Sequence, residues 1–465
     1  MQSVLTSLRF QRDERSANNP KNLEKTCTPL SPLGGMLFIL APRLCTALAH
    51  SAAACISLPP SFRAAAKMSL FSAVEMAPRD PILGINEAFN ADTRTTKVNL
   101  GVGVYCDEDG RIPLLRAVAE AEKIRVAQHA PRGYLPIDGI AAYDQAVQKL
   151  LLGADSPLIA SGRVLTTQSV GGTGALKIGA DFLKQLLPNA VVAISDPSWE
   201  NHRALFETAG FPVQNYRYYD AASHDVNRGG MLEDLQNLPD HSVVVLHACC
   251  HNPTGVDLNL EDWKKVLEVV KAKGHVPFLD MAYQGFGQGI QEDAIAVRLF
   301  AESGLTFFAS SSFSKSLSLY GERVGALSIV TESKEETTRV LSQVKRVIRT
   351  NYSNPPTHGA IISAAVLNDP ALRAMWETEL GEMRVRIQGM RKAMVERLAD
   401  NPAGQDFSFV GRQCGMFSYS GLTADQAQRL RSEFGIYALD TGRICVAALN
   451  QKNIDAVCDA IKKVL

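Results

Sequence analysis

The sequence predicts an α/β protein whose main domain is a mostly parallel β-sheet covered by helices. Short runs of almost continuously apolar residues recur, as in "AVVAIS" (190–195) and "SVVVLHA" (242–248). Such runs are typical of strands buried on both faces. Amphipathic segments such as "EDWKKVLEVVKAK" (261–273) separate them. This alternation indicates parallel strands joined by crossover helices.

The first 67 residues differ in composition from the rest of the chain. They carry eight basic and three acidic side chains, and their apolar run "MLFILA" is too short to span a bilayer. A transit peptide, a weak signal sequence and upstream codons translated from a misplaced start all fit this segment. The last is favoured, because Met68 opens a sequence typical of the beginning of a folded protein. We expect residues 1–67 to be a disordered extension without chemistry.

Charge and cysteine content narrow the functional classes. The chain has 48 basic and 48 acidic side chains, and beyond residue 67 it is slightly acidic. We therefore expect neither nucleic acid nor a membrane as partner. Nine cysteines, an odd number without regular spacing, indicate reduced thiols and a cytoplasmic protein.

After Met68 the predicted elements follow one another in a regular order. Further buried strands are predicted at "HVPFLD" (275–280), "LTFFAS" (305–310) and "VGALSIV" (324–330), and a helix at "GALKIGADFLKQLL" (174–187). From about residue 383 a long helix precedes the short strand-like runs "FSFVG", "MFSYSG" and "ICVAAL". This change predicts a second, smaller α+β domain. The expected division is an N-terminal arm at 68–79, a small domain at 80–111 and 383–465, and a large domain at 112–382.

Polar residues follow the predicted strands at the edge where ligands bind to parallel sheets. They are Trp199, Asn252, Asp280, Tyr283 and Lys315. In "VGGTGALKIG" a glycine turn leads directly into a helix, whose N–H groups and dipole favour a phosphate, although a tight turn alone also explains the glycines. A buried lysine in "SSFSK" must find a counter-charge or lose its proton. Taken alone, that motif more often marks a solvated loop lysine.

Two other motifs are set aside. "HACCHNPTG" looks like a zinc cluster, but adjacent cysteines are expected to point to opposite sides of a strand, and no second C-x-x-C pair exists. We therefore expect a structural strand end and no metal. "SFSK" also fits the S-x-x-K pattern of serine β-lactamases, but the "SDN" and "KTG" partners of that pattern do not occur.

Taken together, these motifs resemble the class I aspartate and aromatic amino acid aminotransferases, enzymes of fold type I that use pyridoxal 5′-phosphate. The resemblance extends over essentially all of Met68 to Leu465, in family order and spacing. It implies that Lys315 binds the cofactor covalently and then moves a proton at the substrate Cα. An amine can do both only if it is unprotonated for part of the time, which burial beside other cations favours.

The resemblance also implies the other cofactor contacts. For the phosphate they are Gly172, Thr173, Ser312 and Arg323, with Tyr134 from the neighbouring subunit. For the ring they are Asp280 at the pyridine nitrogen, His202 behind it, Asn252 and Tyr283 at the 3′-oxygen, and Trp199 stacked on one face. A carboxylate at the ring nitrogen keeps that nitrogen protonated and the ring electron-withdrawing.

For the substrate, the resemblance implies that Arg443 binds the α-carboxylate beside Trp199 and Asn252. Arg349 would reach into the neighbouring subunit and bind the distal carboxylate of aspartate or glutamate. Gly103 would let the small domain close over the substrate. Two residues that act across an interface imply a homodimer with shared active sites.

One position departs from the commoner aspartate-enzyme pattern. Gly171 stands where many members have serine, which is closer to the bacterial aromatic branch. The expected function is therefore a ping-pong exchange of amino groups between aspartate, glutamate, tyrosine or phenylalanine and 2-oxoglutarate or oxaloacetate. An aspartate-only enzyme, a β-lyase or decarboxylase at the same cofactor site, and a non-catalytic cofactor-binding module remain alternatives.

Overall fold

The computed structural model describes residues 69–77, 80 and 82–465. The interpretations of residues 1–67 and of Met68 lie outside the described residues. Contacts divide the chain into one unit that ends at Glu75 and another that spans Met76–Leu465. In the first unit, the N–H of Val74 donates to the carbonyl of Phe71 at 3.0 Å and closes a turn. The second unit contains all the helices and strands that follow.

Fourteen helices and thirteen strands are formed by the described residues. The helices are α1 (Leu83–Ala91), α2 (Arg116–Ala127), α3 (Ala141–Leu152), α4 (Pro157–Ala160), α5 (Gly171–Leu186), α6 (Glu200–Thr208), α7 (Arg228–Asn237), α8 (Leu260–Lys273), α9 (Ile295–Glu302), α10 (Lys334–Asn351), α11 (His358–Asn368), α12 (Pro370–Leu398), α13 (Ala424–Phe434) and α14 (Ile454–Val464). The strands are β1 (Val98–Asn99), β2 (Val164–Val170), β3 (Val192–Asp196), β4 (Val213–Arg217), β5 (Tyr219–Asp220), β6 (Asp225–Val226), β7 (Val243–His247), β8 (Val276–Met281), β9 (Phe307–Ser312), β10 (Val324–Val330), β11 (Phe417–Tyr419), β12 (Ile436–Tyr437) and β13 (Arg443–Cys445).

The central sheet has seven strands in the order β2-β10-β9-β8-β7-β3-β4. Strands β9, β8, β7, β3 and β4 pair in parallel, whereas β10 is antiparallel to both of its neighbours. The predicted α/β class with a mainly parallel sheet is confirmed. Each of the predicted buried strands is present, and the structure adds that the "VGALSIV" strand runs in the opposite direction.

Both faces of the sheet are covered, which explains the unbroken apolar runs. Along β7, Val243 and Val245 pack in the cluster formed with α5, α6 and α10, whereas Val244 and Leu246 pack in the core on the other face. Burying each such side chain contributes about 1.5–3 kcal/mol. The same packing fixes the carboxyl ends of β7, β8 and β9 beside the N-terminus of α5, where the cavity described below lies.

The C-terminal part differs in detail from the expectation. "FSFVG" is not a strand, because Ser408–Gly411 forms a 3-10 turn, and the carboxylate of Asp406 starts that turn by accepting from the N–H of Ser408 at 2.7 Å. Helix α12 passes through residue 383 without a break. The predicted domain boundary therefore falls within one helix, and the division into large and small domains stays a prediction. Among the described residues, no helix is long and apolar enough to cross a membrane.

Candidate active site

A cavity of about 440 Å³ lies at the carboxyl ends of β7, β8 and β9 and at the N-terminus of α5. Its lining includes Gly103, Gly172, Thr173, Trp199, Asn252, Asp280, Tyr283, Ser312, Lys315 and Arg323, all of them singled out from the sequence. The ends of separate strands, the loops that follow them and the start of α5 bring these residues together, as expected for the ligand edge of a parallel sheet.

Lys315 follows β9 and points into this cavity with its Nζ 5.1 Å from the centre of the Tyr283 ring. Burial lowers the pKa of the amine to about 8; Arg323 and Arg443 act in the same direction, and Asp280 opposes them. Among the described residues, no carboxylate forms a salt bridge with Lys315. A substantial fraction of the amine is therefore neutral near pH 8 and available as a nucleophile or base.

This lowered pKa predicts how fast the cofactor-free protein combines with pyridoxal phosphate. Only the neutral amine attacks an aldehyde, so the rate is expected to rise with pH and to level off above about 8. An ordinary lysine would continue to gain reactivity up to about pH 10.4. Stopped-flow absorbance across this range gives the rate. A rise that continues unchanged to pH 10 would show that the Lys315 amine has no lowered pKa.

Asp280 provides the buried carboxylate of the site. Its Oδ2 accepts from His202 Nε2 at 3.1 Å, and its Oδ1 accepts from Ser310 Oγ at 2.5 Å. Burial alone would raise the pKa of Asp280, but these hydrogen bonds and the nearby His202 and His247 rings lower it below its usual value. The carboxylate is thus held ionised at neutral pH, and His202 in turn pairs through Nδ1 with Ser198 Oγ at 3.0 Å.

Ser310 was not identified from the sequence. Strand pairing places it directly opposite Asp280 on β9, just as His247 lies opposite Asp280 on β7. The sequence signal is a serine at the end of an apolar run. The structure shows that this serine is fully buried, and a buried hydroxyl needs a hydrogen-bond partner. Tyr320, which was also not predicted, lines the cavity, and its hydroxyl accepts from the N–H of Tyr105 at 2.8 Å.

The end of the cavity beside α5 has the features of a phosphate site. Arg323 adopts φ +53° and donates from Nη1 to Ser314 Oγ at 3.2 Å and to the carbonyl of Tyr320 at 3.1 Å. Gly171 adopts φ +68°, and a Cβ there would lie 2.4 Å from Arg323 Nη2. Glycine at position 171, instead of serine, therefore allows the guanidinium to pack against the start of α5. The N–H groups of Gly172 and Thr173 and the helix dipole add to this positive end.

Arg443 forms the other cationic group next to the cavity. It is 1% exposed, donating from Nη1 to Asn252 Oδ1 at 3.1 Å and from Nη2 to the carbonyl of Gly101 at 2.6 Å. Its Nε has no hydrogen-bond partner in the described part of the chain, and its acceptors there are neutral. The Phe417 ring lies 4.3 Å from its Cζ, and a Cβ on Gly103 would lie 2.6 Å from that ring. A buried guanidinium with neutral acceptors retains the capacity to bind an anion.

Four predicted site residues do not line this cavity. His202 and Arg443 hydrogen-bond to the lining residues Asp280 and Asn252, whereas Tyr134 and Arg349 are exposed. Tyr134 is 95% exposed. Arg349 lies exposed on α10, where it donates to the hydroxyl of Ser353. Neither lines the cavity of its own chain. The roles predicted for Tyr134 and Arg349 in the neighbouring subunit's site therefore stay predictions.

The expectation that Cys249 and Cys250 point to opposite sides of a strand is wrong. The sulfurs of Cys249 and Cys250 lie within 4.8 Å of one another and of a carboxylate oxygen of Asp293. They follow the end of β7 rather than lying within it, and Cys250 adopts φ +52°. Alternation of side chains across a strand therefore does not apply to them.

The residues around the cavity fit pyridoxal phosphate. The positive end formed by Arg323 and α5 suits a phosphate dianion, and Lys315 offers a reactive amine. Asp280, held ionised, suits a cationic ring nitrogen. The cationic groups of the site therefore outnumber its one buried carboxylate, Asp280. An anionic cofactor and substrate would balance the net positive charge.

Comparisons with known proteins agree with this reading. The family model "Aminotransferase class I and II" matches residues 95–461. The chain is 77% identical to an aspartate aminotransferase of Pseudomonas aeruginosa, over 86% of this chain and 100% of that protein. It is 50% identical to an aromatic-amino-acid aminotransferase of Escherichia coli, over 85% and 100%.

A solved structure is also similar. It is the crystal structure of an aromatic-amino-acid aminotransferase from Burkholderia pseudomallei covalently bound to pyridoxal phosphate, with 71% identity and a TM-score of 0.84 over 86% of this chain and 100% of that one. The cavity that fits the cofactor and these similarities lead to one conclusion. The chain belongs to the class I and II aminotransferases and is a pyridoxal phosphate-dependent aminotransferase.

Proposed function

We propose that this enzyme exchanges the amino group between aspartate, glutamate, tyrosine or phenylalanine and 2-oxoglutarate or oxaloacetate by a ping-pong mechanism. The observation that carries the proposal is Arg443, a buried guanidinium beside Asn252 with neutral acceptors only among the described residues. A bidentate guanidinium matches the α-carboxylate common to all these substrates. Relatives named for aspartate and for aromatic amino acids both support the dual range.

Five side chains of the cavity then have a defined task. When bound, pyridoxal phosphate supplies a ring that withdraws electrons from the substrate Cα. The Lys315 amine would take the proton from the substrate Cα. Asp280 would hold the positive charge on the ring nitrogen, and Asn252 and Tyr283 would orient the ring by hydrogen bonds to its 3′-oxygen. Trp199 would pack on the ring face and, with the rest of the pocket wall, exclude water.

The functional unit in this proposal is a homodimer in the cytoplasm. Tyr134 and Arg349 are exposed and outside their own cavity, which suits residues that serve the partner's site. In the assembled dimer, Tyr134 would contact the phosphate and Arg349 the distal carboxylate.

Replacement of Arg349 by leucine tests the substrate role. Losing a charge-assisted hydrogen bond to the distal carboxylate costs about 1.5–3 kcal/mol, so kcat/KM for aspartate is expected to fall about 10- to 100-fold. The value for phenylalanine, which has no distal carboxylate, should change much less. Arg346→Leu, one turn earlier on the exposed face of α10, is the matched control. Equal losses for aspartate and phenylalanine would contradict the assignment.

Co-expression of Arg349→Leu with Lys315→Ala distinguishes shared from separate sites. If Arg349 serves the partner, a mixed dimer contains one site with both groups intact, and activity toward aspartate returns. If Arg349 serves its own subunit, both sites of the mixed dimer are defective and activity stays low.

Measuring tyrosine turnover by the wild-type enzyme separates the dual-range enzyme from one restricted to aspartate. An enzyme restricted to aspartate would give no turnover of tyrosine.

A further inference from the structure

Three cysteines converge in a region that transamination does not use. One sulfur each from Cys250 and Cys414 and one carboxylate oxygen of Asp257 all lie within 4.8 Å of one another. The Cys414 thiol donates to Asp257 Oδ2 at 3.1 Å. The third thiol, Cys249, instead donates to Met281 Sδ at 3.4 Å. We refer to Cys250, Asp257 and Cys414 as the thiol cluster.

The backbone holds the thiol cluster in place. Cys250 and Asp257 belong to the segment that follows β7, whereas Cys414 lies after α12. Asp257 accepts from the N–H of Cys250 at 2.6 Å and from the N–H of His251 at 2.8 Å. The N–H of Cys414 donates to the carbonyl of Gly255 at 2.7 Å. These contacts join the two segments, so the ligand atoms are positioned without any bound ion.

The donor set is one that zinc-like cations prefer. Two thiols and a carboxylate supply sulfur and oxygen ligands, and a tetrahedral site with Zn–S bonds of about 2.3 Å places its sulfurs about 3.8 Å apart. The 4.8 Å limit on the separations in the thiol cluster is compatible with that geometry after small side-chain movements. The amide bonds to Asp257 orient its carboxylate, as surrounding hydrogen bonds do in many metal sites.

Access for an ion is also present. Asp257 and Cys414 both line a cavity of about 430 Å³, which is separate from the cavity that contains Lys315. Cys250 is buried at 2% exposure on the inner side of the thiol cluster. An ion that entered from this cavity would meet the carboxylate and one thiol first, and a water molecule from the cavity would complete its coordination.

We propose that Cys250, Asp257 and Cys414 form a binding site for one thiophilic divalent cation of the zinc class, with water as fourth ligand. On binding, two thiol protons pass to solvent and the two thiolates and the carboxylate bond to the cation. The ion then links the segment that carries Asn252 to the segment that leads into β11. The transamination reaction neither requires nor explains this site.

Zinc stoichiometry of the full-length enzyme, with its cofactor bound and under a reductant that does not bind zinc, tests the proposal. The chain has cysteines at positions 27, 45 and 55 as well, so the comparison is between wild type and Cys414→Ser, which both retain them. Competition with a chromophoric chelator is expected to show one tightly bound zinc ion fewer per chain in Cys414→Ser. Serine can still donate to Asp257, so this variant preserves the local hydrogen bond.

A matched control and a second readout make the result specific. Cys458 is a buried thiol on α14 outside the thiol cluster, and Cys458→Ala should bind as much zinc as wild type. With Co²⁺ in place of zinc, tetrahedral thiolate bands in the red, where the cofactor does not absorb, should appear in wild type and be lost in Cys414→Ser. If that variant does not fold, Cys250→Ser replaces it. Equal zinc counts in wild type and the thiol-cluster variant would overturn the proposal.

Discussion

Lys315→Ala is expected to reduce turnover with every amino acid substrate by at least about 10²- to 10⁴-fold, the usual worth of general acid–base catalysis. The amine is the one group in the cavity with a pKa of about 8 and no carboxylate partner among the described residues. Loss of covalent cofactor attachment adds to the effect. Steady-state kinetics with aspartate gives the size of the loss.

Lys315→Arg is the control for this variant. Arginine keeps the positive charge but stays protonated at all accessible pH values, so it can neither attack an aldehyde nor accept a proton. Both variants should still take up pyridoxal phosphate, because Arg323 and the start of α5 remain. Near-normal turnover by either variant would show that another group moves the proton.

Asp280→Asn is expected to lower kcat by about 10²- to 10³-fold, similar to the loss of other preorganised electrostatic groups. The amide has the shape of the carboxylate and can remain bonded to His202 and Ser310. It cannot balance a positive charge on the ring nitrogen, so the bound cofactor becomes a weaker electron acceptor. Kinetics, combined with the pH dependence of the bound cofactor's absorption, measures both consequences.

Ser310→Ala provides a graded comparison for Asp280→Asn. It removes one hydrogen bond to the carboxylate, worth about 1.5–3 kcal/mol, but leaves the charge and the His202 bond in place. We expect a smaller loss of kcat than in Asp280→Asn, because the negative charge beside the ring nitrogen remains. Equal kcat in wild type and Asp280→Asn would mean that this carboxylate is structural only.

Much of the fold was predictable because burial on both faces of a parallel sheet leaves unbroken apolar runs, as in "SVVVLHA". Most of the cavity was predictable for a related reason. Asp280 ends such a run, Lys315 and Asn252 each follow one, and the carboxyl ends of parallel strands meet at one edge. Their chemical roles came from the resemblance to a family, since a lone lysine or aspartate after a strand has several uses.

Other features depend on contacts between distant segments. The register of β8 with β9 sets Ser310 against Asp280, and no local pattern encodes which residues of two strands face each other. The pKa of Lys315 depends on burial and on Arg323 and Arg443, which lie elsewhere in the chain. The Cys414 and Cys250 sulfurs lie close together because two segments that are distant in sequence pack against each other in the folded chain. The sequence by itself therefore determined the elements and the edge where the site forms, through local periodicity. Only the tertiary structure decided the partners and protonation of each group, because both depend on distances across the fold.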